Sequence, residues 1–173
     1  DVDQALELVR LIAKAGGQTR VILTESGAEF VTPLSLAALS GHPVRSGLFH
    51  PDDETSMGHI ELSRWADLVV VAPATAGLIA KAANGLADDL ASTTLIATDK
   101  RVLLAPAMNV RMWEHAATRT NVATLRARGV TVLEPDVGSM ACGEFGPGRL
   151  PEVPAILAAI GGFFGEGPLK GRH

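Results

Sequence analysis

Two kinds of hydrophobic stretch alternate along this chain. In residues 3–15 apolar side chains recur at helical spacing. Leu6, Val9 and Ala13, with Leu8, Leu11 and Ile12, make one broad face, and Gly16-Gly17 closes the helix. Residues 19–23 predict a strand and residues 24–27 a turn carrying Thr24 and Ser26. Pro33 suits the first turn of a helix reaching Ser40. Residues 44–57 are polar and turn-rich, which predicts a long excursion with a short strand near Val44. A helix over 58–66 follows. Leu68-Val69-Val70-Val71-Ala72 is then an unbroken apolar run, too short for a helix and rich in β-branched residues. Such a run is a strand buried on both faces, and that belongs to a parallel sheet covered by helices. Helices over 75–83 and 88–97, a second buried strand over 101–105, a helix over 118–128 and a strand over 130–133 continue the alternation. Residues 136–149 hold four glycines and predict a loop that could close over a site. Residues 151–164 predict a last amphipathic helix, and 165–173 a Gly-rich basic tail that reads as a linker.

The pattern is that of an α/β, Rossmann-like or flavodoxin-like parallel sheet flanked by helices, in a single domain. A chain of 173 residues suffices for one real core. Hydrophobic residues are 47% and charged residues 20%, the balance of a folded globule. A net charge of −4 speaks against a nucleic-acid surface, and no apolar run is long enough to span a bilayer. One cysteine, Cys142, excludes an internal disulfide and makes a reducing, cytoplasmic setting the simpler reading.

In such sheets ligands bind beyond the carboxyl ends of the strands, where helices begin. Both buried strands end in Ala-Pro-Ala followed by polar chemistry: Pro73-Ala74-Thr75-Ala76 and Pro106-Ala107-Met108-Asn109. They suggest two walls of one site. Thr24 and Ser26 stand at another strand end, where helix capping and ligand contact are both open readings. His59 opens the helix before the first buried strand. A histidine there is often structural, but this one is near the ligand-binding edge. Asp88-Asp89 at a helix start read as caps and dipole partners, and their spacing offers no metal site. Cys142 in the glycine loop is open between a plain surface thiol and a group carried by a lid.

At Gly58-His59, at Pro106-Ala107-Met108-Asn109 and at residues 141–149 (ACGEFGPGR), the chain resembles the phosphopantothenoylcysteine decarboxylases, a branch of the flavin-containing cysteine decarboxylases. The resemblance spans nearly the whole chain. It implies FMN as cofactor and phosphopantothenoylcysteine as substrate. His59 matches the family's base, Asn109 the residue that holds the substrate carboxylate, and Cys142 the proton donor on a flap. Thr24, Ser26, Phe30, Thr75, Ala76 and Ala107 match positions near the flavin. Met108 and Gly143 go with Asn109 as substrate-binding positions.

The implied chemistry oxidises the thiol-bearing carbon to a thioaldehyde, loses CO₂, and re-reduces the resulting ene-thiolate to give phosphopantetheine. A peptidyl-cysteine decarboxylase and a non-catalytic flavin-binding regulatory subunit are the alternatives. The flap cysteine argues against the first, and His59 together with Cys142 argues against the second. A generic nucleotide-binding module is the blandest reading.

The resemblance also implies a homo-oligomer, a trimer or a dodecamer built of trimers. His59 and Asn109 would then come from different chains. It implies a decarboxylase domain over 1–164, with 165–173 leading towards a ligase domain. Two departures stand out. The family's first strand and phosphate-holding turn are expected upstream of Asp1, and Gly77 stands where the family usually has asparagine.

Overall fold

The computed structural model describes residues 2–29, 31–46, 58–165, 169 and 171–173. Helix α1 (Val2–Lys14) is amphipathic and lays Leu8 into the main core. Strand β1 (Ile22–Leu23) is shorter than the five residues expected. It pairs in parallel with β2 (Arg45–Ser46) after α2 (Glu25–Ala28) and α3 (Pro33–Ser40). Pro33 opens α3 as expected, and Thr32 caps it through the Ser35 N–H.

The larger sheet is built from the two apolar runs. Helix α4 (Gly58–Trp65) leads into β3 (Leu68–Ala74). Helices α5 (Ala76–Asn84) and α6 (Leu90–Ala97) carry the chain to β4 (Arg101–Pro106). Then α7 (Val110–Glu114) and α8 (Ala116–Ala127) lead to β5 (Thr131–Val132). Strands β3, β4 and β5 lie side by side in that order, all parallel. Leu103, Leu104 and Ala105 of β4 are fully buried, because helices cover both faces of the sheet. Leu103 and Ala105 face α1 and α9 (Val153–Gly162) with Ile156 and Ile160. Leu104 faces the other way, to Ile79 of α5 and to Val122 and Leu125 of α8. This period of two inside an all-apolar strand is what two helical layers demand.

The glycine-rich segment differs from the expected loop. It is an antiparallel hairpin of β6 (Asp136–Ser139) and β7 (Phe145–Arg149). The 165–173 tail also makes contacts of its own. Leu169 is buried in the main core, and its N–H donates to the Ala15 carbonyl at 2.8 Å. The His173 carbonyl accepts from Asp67 N–H at 2.8 Å, and its ring stacks on Trp65 with centroids 4.5 Å apart.

Candidate functional site

Strands β3 and β4 end together. Ala74 pairs with Pro106, and the Ala107 N–H donates to the Ala74 carbonyl at 3.1 Å. The two Ala-Pro-Ala ends are therefore adjacent, as the repeated motif suggested. Each polar residue beyond a strand end then caps the helix that follows. Thr75 Oγ1 accepts from Leu78 N–H at 3.2 Å, opening α5 with Ala76 as its first residue. Asn109 Oδ1 accepts from Met112 N–H at 2.9 Å, opening α7. Thr24 Oγ1 accepts from Gly27 N–H at 3.0 Å, opening α2.

These caps leave useful chemistry behind. A threonine hydroxyl that accepts one bond still has its O–H to donate. An asparagine whose oxygen is held by its own helix keeps its NH₂ group for an acceptor such as a carboxylate.

The hairpin docks on the Asn109 wall. Met108 N–H donates to the Gly148 carbonyl at 2.9 Å. Glycines face this wall, against the Met108 carbonyl, the Val110 methyl groups and the end of the Met140 side chain. A Cβ on Gly148 would stand 2.3 Å from the Met108 carbonyl oxygen, and one on Gly146 would stand 3.0 Å from Val110. Both glycines are buried, and Gly148 has φ +143°. Only glycine fits a backbone approach that close. The opposite hairpin face presents Val137 and Phe145 to solvent. At the tip, Met140 N–H donates to the Glu144 carbonyl and Gly143 N–H to the Met140 carbonyl, both at 2.9 Å. Cys142 is exposed there, and Gly143, with φ +84°, makes the turn.

Of the expected substrate-binding residues, Met108 packs its side chain against the Ile79–Leu104 cluster. It offers its backbone to the hairpin instead. Ala107 packs against the other core face. Gly77 sits exposed near the start of α5 with nothing within 4 Å of where a Cβ would be.

A second grouping lies at the end of β1. Thr24, Glu25 and Ser26 line a cavity of about 250 Å³ with Lys81, Asp88 and Asp89. Asp89 caps α6 in a reciprocal box with Ser92, as the acidic pair at a helix start suggested. Asp88 instead reaches Lys81 of α5 at 2.9 Å. The hydrogen bond from Lys81 holds the Asp88 carboxyl below its ordinary value, and the same bond raises Lys81. Lys81 and Asp88 were not anticipated as cavity residues. The one signal in the sequence was the Asn84-Gly85 break, which folds the end of α5 back towards the start of α6.

His59 is half-buried on α4, and its carbonyl accepts from the Ser63 hydroxyl. Helix α4 packs against α6, whose first residues line the cavity. The structure thus joins Ala107, Met108, Asn109, Gly143 and the Cys142 hairpin in one group. Thr24 and Ser26 sit with α5 and α6 in another. Phe30 and most of the 44–57 excursion lie outside the described residues. Among the described residues no three His, Cys, Asp or Glu side chains cluster to hold a metal, and no helix is long and apolar enough to cross a membrane.

The family profile described as Flavoprotein matches residues 2–165. The chain belongs to the flavoprotein family. This flavoprotein is 45% identical, over 163 residues, to the coenzyme A biosynthesis bifunctional protein CoaBC of Haemophilus influenzae. The match covers 94% of the chain and 41% of that relative. The chain thus spans about two fifths of the length of the curated relatives it matches. Among solved structures it is similar to a cysteine-to-serine mutant of a PPC decarboxylase complexed with pantothenoylaminoethenethiol. The TM-score is 0.79 at 30% identity, covering 93% of this chain and 92% of that one. It is also similar to the FMN binding protein AtHal3, with a TM-score of 0.75 at 31% identity, covering 90% of this chain and 86% of that one.

Proposed function

We propose that this flavoprotein is an FMN-dependent decarboxylase that converts 4'-phosphopantothenoylcysteine to 4'-phosphopantetheine in coenzyme A biosynthesis. One observation carries the reading most of the way. The hairpin bearing the chain's single thiol is seated by the Met108–Gly148 hydrogen bond directly on the segment that presents Asn109. A carboxylate-binding amide and a thiol acid on one wall are what decarboxylation followed by protonation requires. The flavoprotein membership and the PPC decarboxylase and FMN-binding neighbours support the same reading.

The residues present fit a flavin. Ala76 and Ala107 leave the joined ends of β3 and β4 free of bulky side chains, so a planar ring can lie against them. Thr75 offers a hydroxyl donor beside it, and Thr24 and Ser26 offer theirs from the second grouping at the end of β1. Bound FMN would supply a reversible two-electron acceptor.

The chain's own groups do the rest. His59, as a base, takes the substrate thiol proton. The Asn109 NH₂ group, turned outward by its cap, holds the substrate carboxylate until it leaves as CO₂. Cys142 delivers the proton that completes the aminoethanethiol product. The two groupings of site residues favour a homo-oligomer, trimeric or a dodecamer of trimers, in which His59 of one copy meets Asn109 of another. The share of the bifunctional relatives that is matched supports a decarboxylase unit over 1–164, with 165–173 leading towards a ligase unit. A cytoplasmic setting suits this pathway.

An absorption spectrum of the purified protein tests the reading first, and a flavin band is expected. Turnover of phosphopantothenoylcysteine is then compared between wild type and Cys142→Ser. The variant should keep its flavin and lose CO₂ from substrate while releasing the unsaturated ene-thiol. A colourless protein that takes up no FMN refutes the proposal.

A further inference from the structure

One ion pair joins the two halves of the Asn109 grouping. Arg111 lies two residues beyond Asn109 on α7, and Glu144 two residues beyond Cys142 in the hairpin tip. Arg111 Nε stands 3.4 Å from Glu144 Oε1. The base of the hairpin is fixed by the Gly148 carbonyl and the two glycine seats, but the hydrogen bonds at the tip close only on the tip itself. Among the described residues, this is the ion pair that ties the tip to the body of the protein. The Arg111 side chain is 88% exposed, so packing does not account for its position, whereas Glu144 is 40% exposed.

We propose that Arg111 and Glu144 are positioning residues, an electrostatic latch that holds the tip, and with it Cys142, beside α7. The proposal rests on the reading of Asn109 and Cys142 as one site. An exposed pair of this kind is weak, which suits a tip that must open for substrate and product. Breaking it should shift the closed population about 1.5- to 5-fold.

The test is the rate at which the backbone N–H groups of residues 139–145 take up deuterium in the full chain, read by mass spectrometry of the tip peptide. Arg111→Gln and Glu144→Gln should each raise that rate about 1.5- to 5-fold at low salt. Arg111→Glu combined with Glu144→Arg should return it towards wild type. High salt should raise the wild-type rate and leave both single variants unchanged, because only an intact pair is there to be screened. Wild-type rates in both single variants, or a charge swap that labels as fast as they do, would overturn the latch. Labelling does not depend on turnover. A labelling shift with unchanged turnover of the flavin-loaded variants keeps the latch and shows that tip closure does not limit turnover.

Discussion

Substituting Gly148 by alanine probes the contact on which the site is assembled. The new Cβ would meet the Met108 carbonyl oxygen at 2.3 Å, inside any tolerable separation, and the oxygen belongs to backbone that cannot rotate away. The residue also has φ +143°, where an L side chain costs about 1–3 kcal/mol. If the hairpin lifts to relieve the clash, the 2.9 Å bond from Met108 N–H is lost, which costs about 1–3 kcal/mol more for a partly buried donor. Lifting relieves part of the strain, so the two costs do not add in full. The expected net loss is about 2–4 kcal/mol, or a fall in Tm of about 5–15 °C for a chain of this size.

Two other glycines calibrate the measurement. Gly85 has φ +70° and open space around it, so Gly85→Ala should lose only the backbone cost of about 1–2 kcal/mol. Gly77 has neither a positive φ nor a neighbour within 4 Å, so Gly77→Ala should be neutral or stabilising by up to about 1 kcal/mol. Thermal and urea melts of the three variants, with turnover measured alongside, decide the matter. Gly148→Ala should lose most of its turnover even well below its Tm, because Asn109 and Cys142 no longer share a wall. A Gly148→Ala protein that melts with Gly85→Ala and turns over normally would refute the seating argument.

Other outcomes follow from the caps and charges. Asn109→Asp keeps an equally good helix cap and so should melt within about 0.5 kcal/mol of wild type, yet it sets a negative charge against the substrate carboxylate. Turnover should fall about 10- to 100-fold or more, and Asn109→Ala should lose about 1 kcal/mol of stability besides. Asp88 has its carboxyl held low by the hydrogen bond from Lys81, so its contribution to stability is present above the unfolded value of about 3.8 and lost as pH falls through the lower folded value. The Tm difference between wild type and Asp88→Asn should therefore stay constant from about pH 5 to 9 and shrink as the pH falls below 3.8. Gly77→Asn, which restores the amide usual in the family at an open position, should tighten FMN binding in a fluorescence titration.

The sheet was legible because β3 and β4 are apolar without interruption, a pattern that suits strands covered by helices on both faces. Leu103 and Leu104 are buried against opposite helical layers, as the run over 101–105 implied. The hairpin was not legible. Residues 136–149 lack alternation and carry four glycines, a composition that normally marks a loop. They form strands because Gly146 and Gly148 must vanish beneath Met108 and Val110, a tertiary demand that no local window can reveal. The cavity role of Lys81 and Asp88 was hidden for a similar reason. They stand seven positions apart in sequence, and only the fold between α5 and α6 brings Nζ and Oδ1 to 2.9 Å.

For Thr24 the structure shows the cap, and the same arrangement recurs at three strand ends. Thr24, Thr75 and Asn109 each accept a hydrogen bond from the first turn of the following helix. In each case the acceptor oxygen is engaged and the donor hydrogens remain. The cap therefore biases which part of the side chain a ligand meets: the Thr75 and Asn109 caps, at the adjoining ends of β3 and β4, present donors to one region, and Thr24 presents its own at the end of β1. Such donors suit an electron-rich ring edge and a carboxylate. Helix capping at these positions is thus the device that sets the polarity of the site. Its removal should be felt in binding before it is felt in folding, since each cap contributes only about 1 kcal/mol to stability.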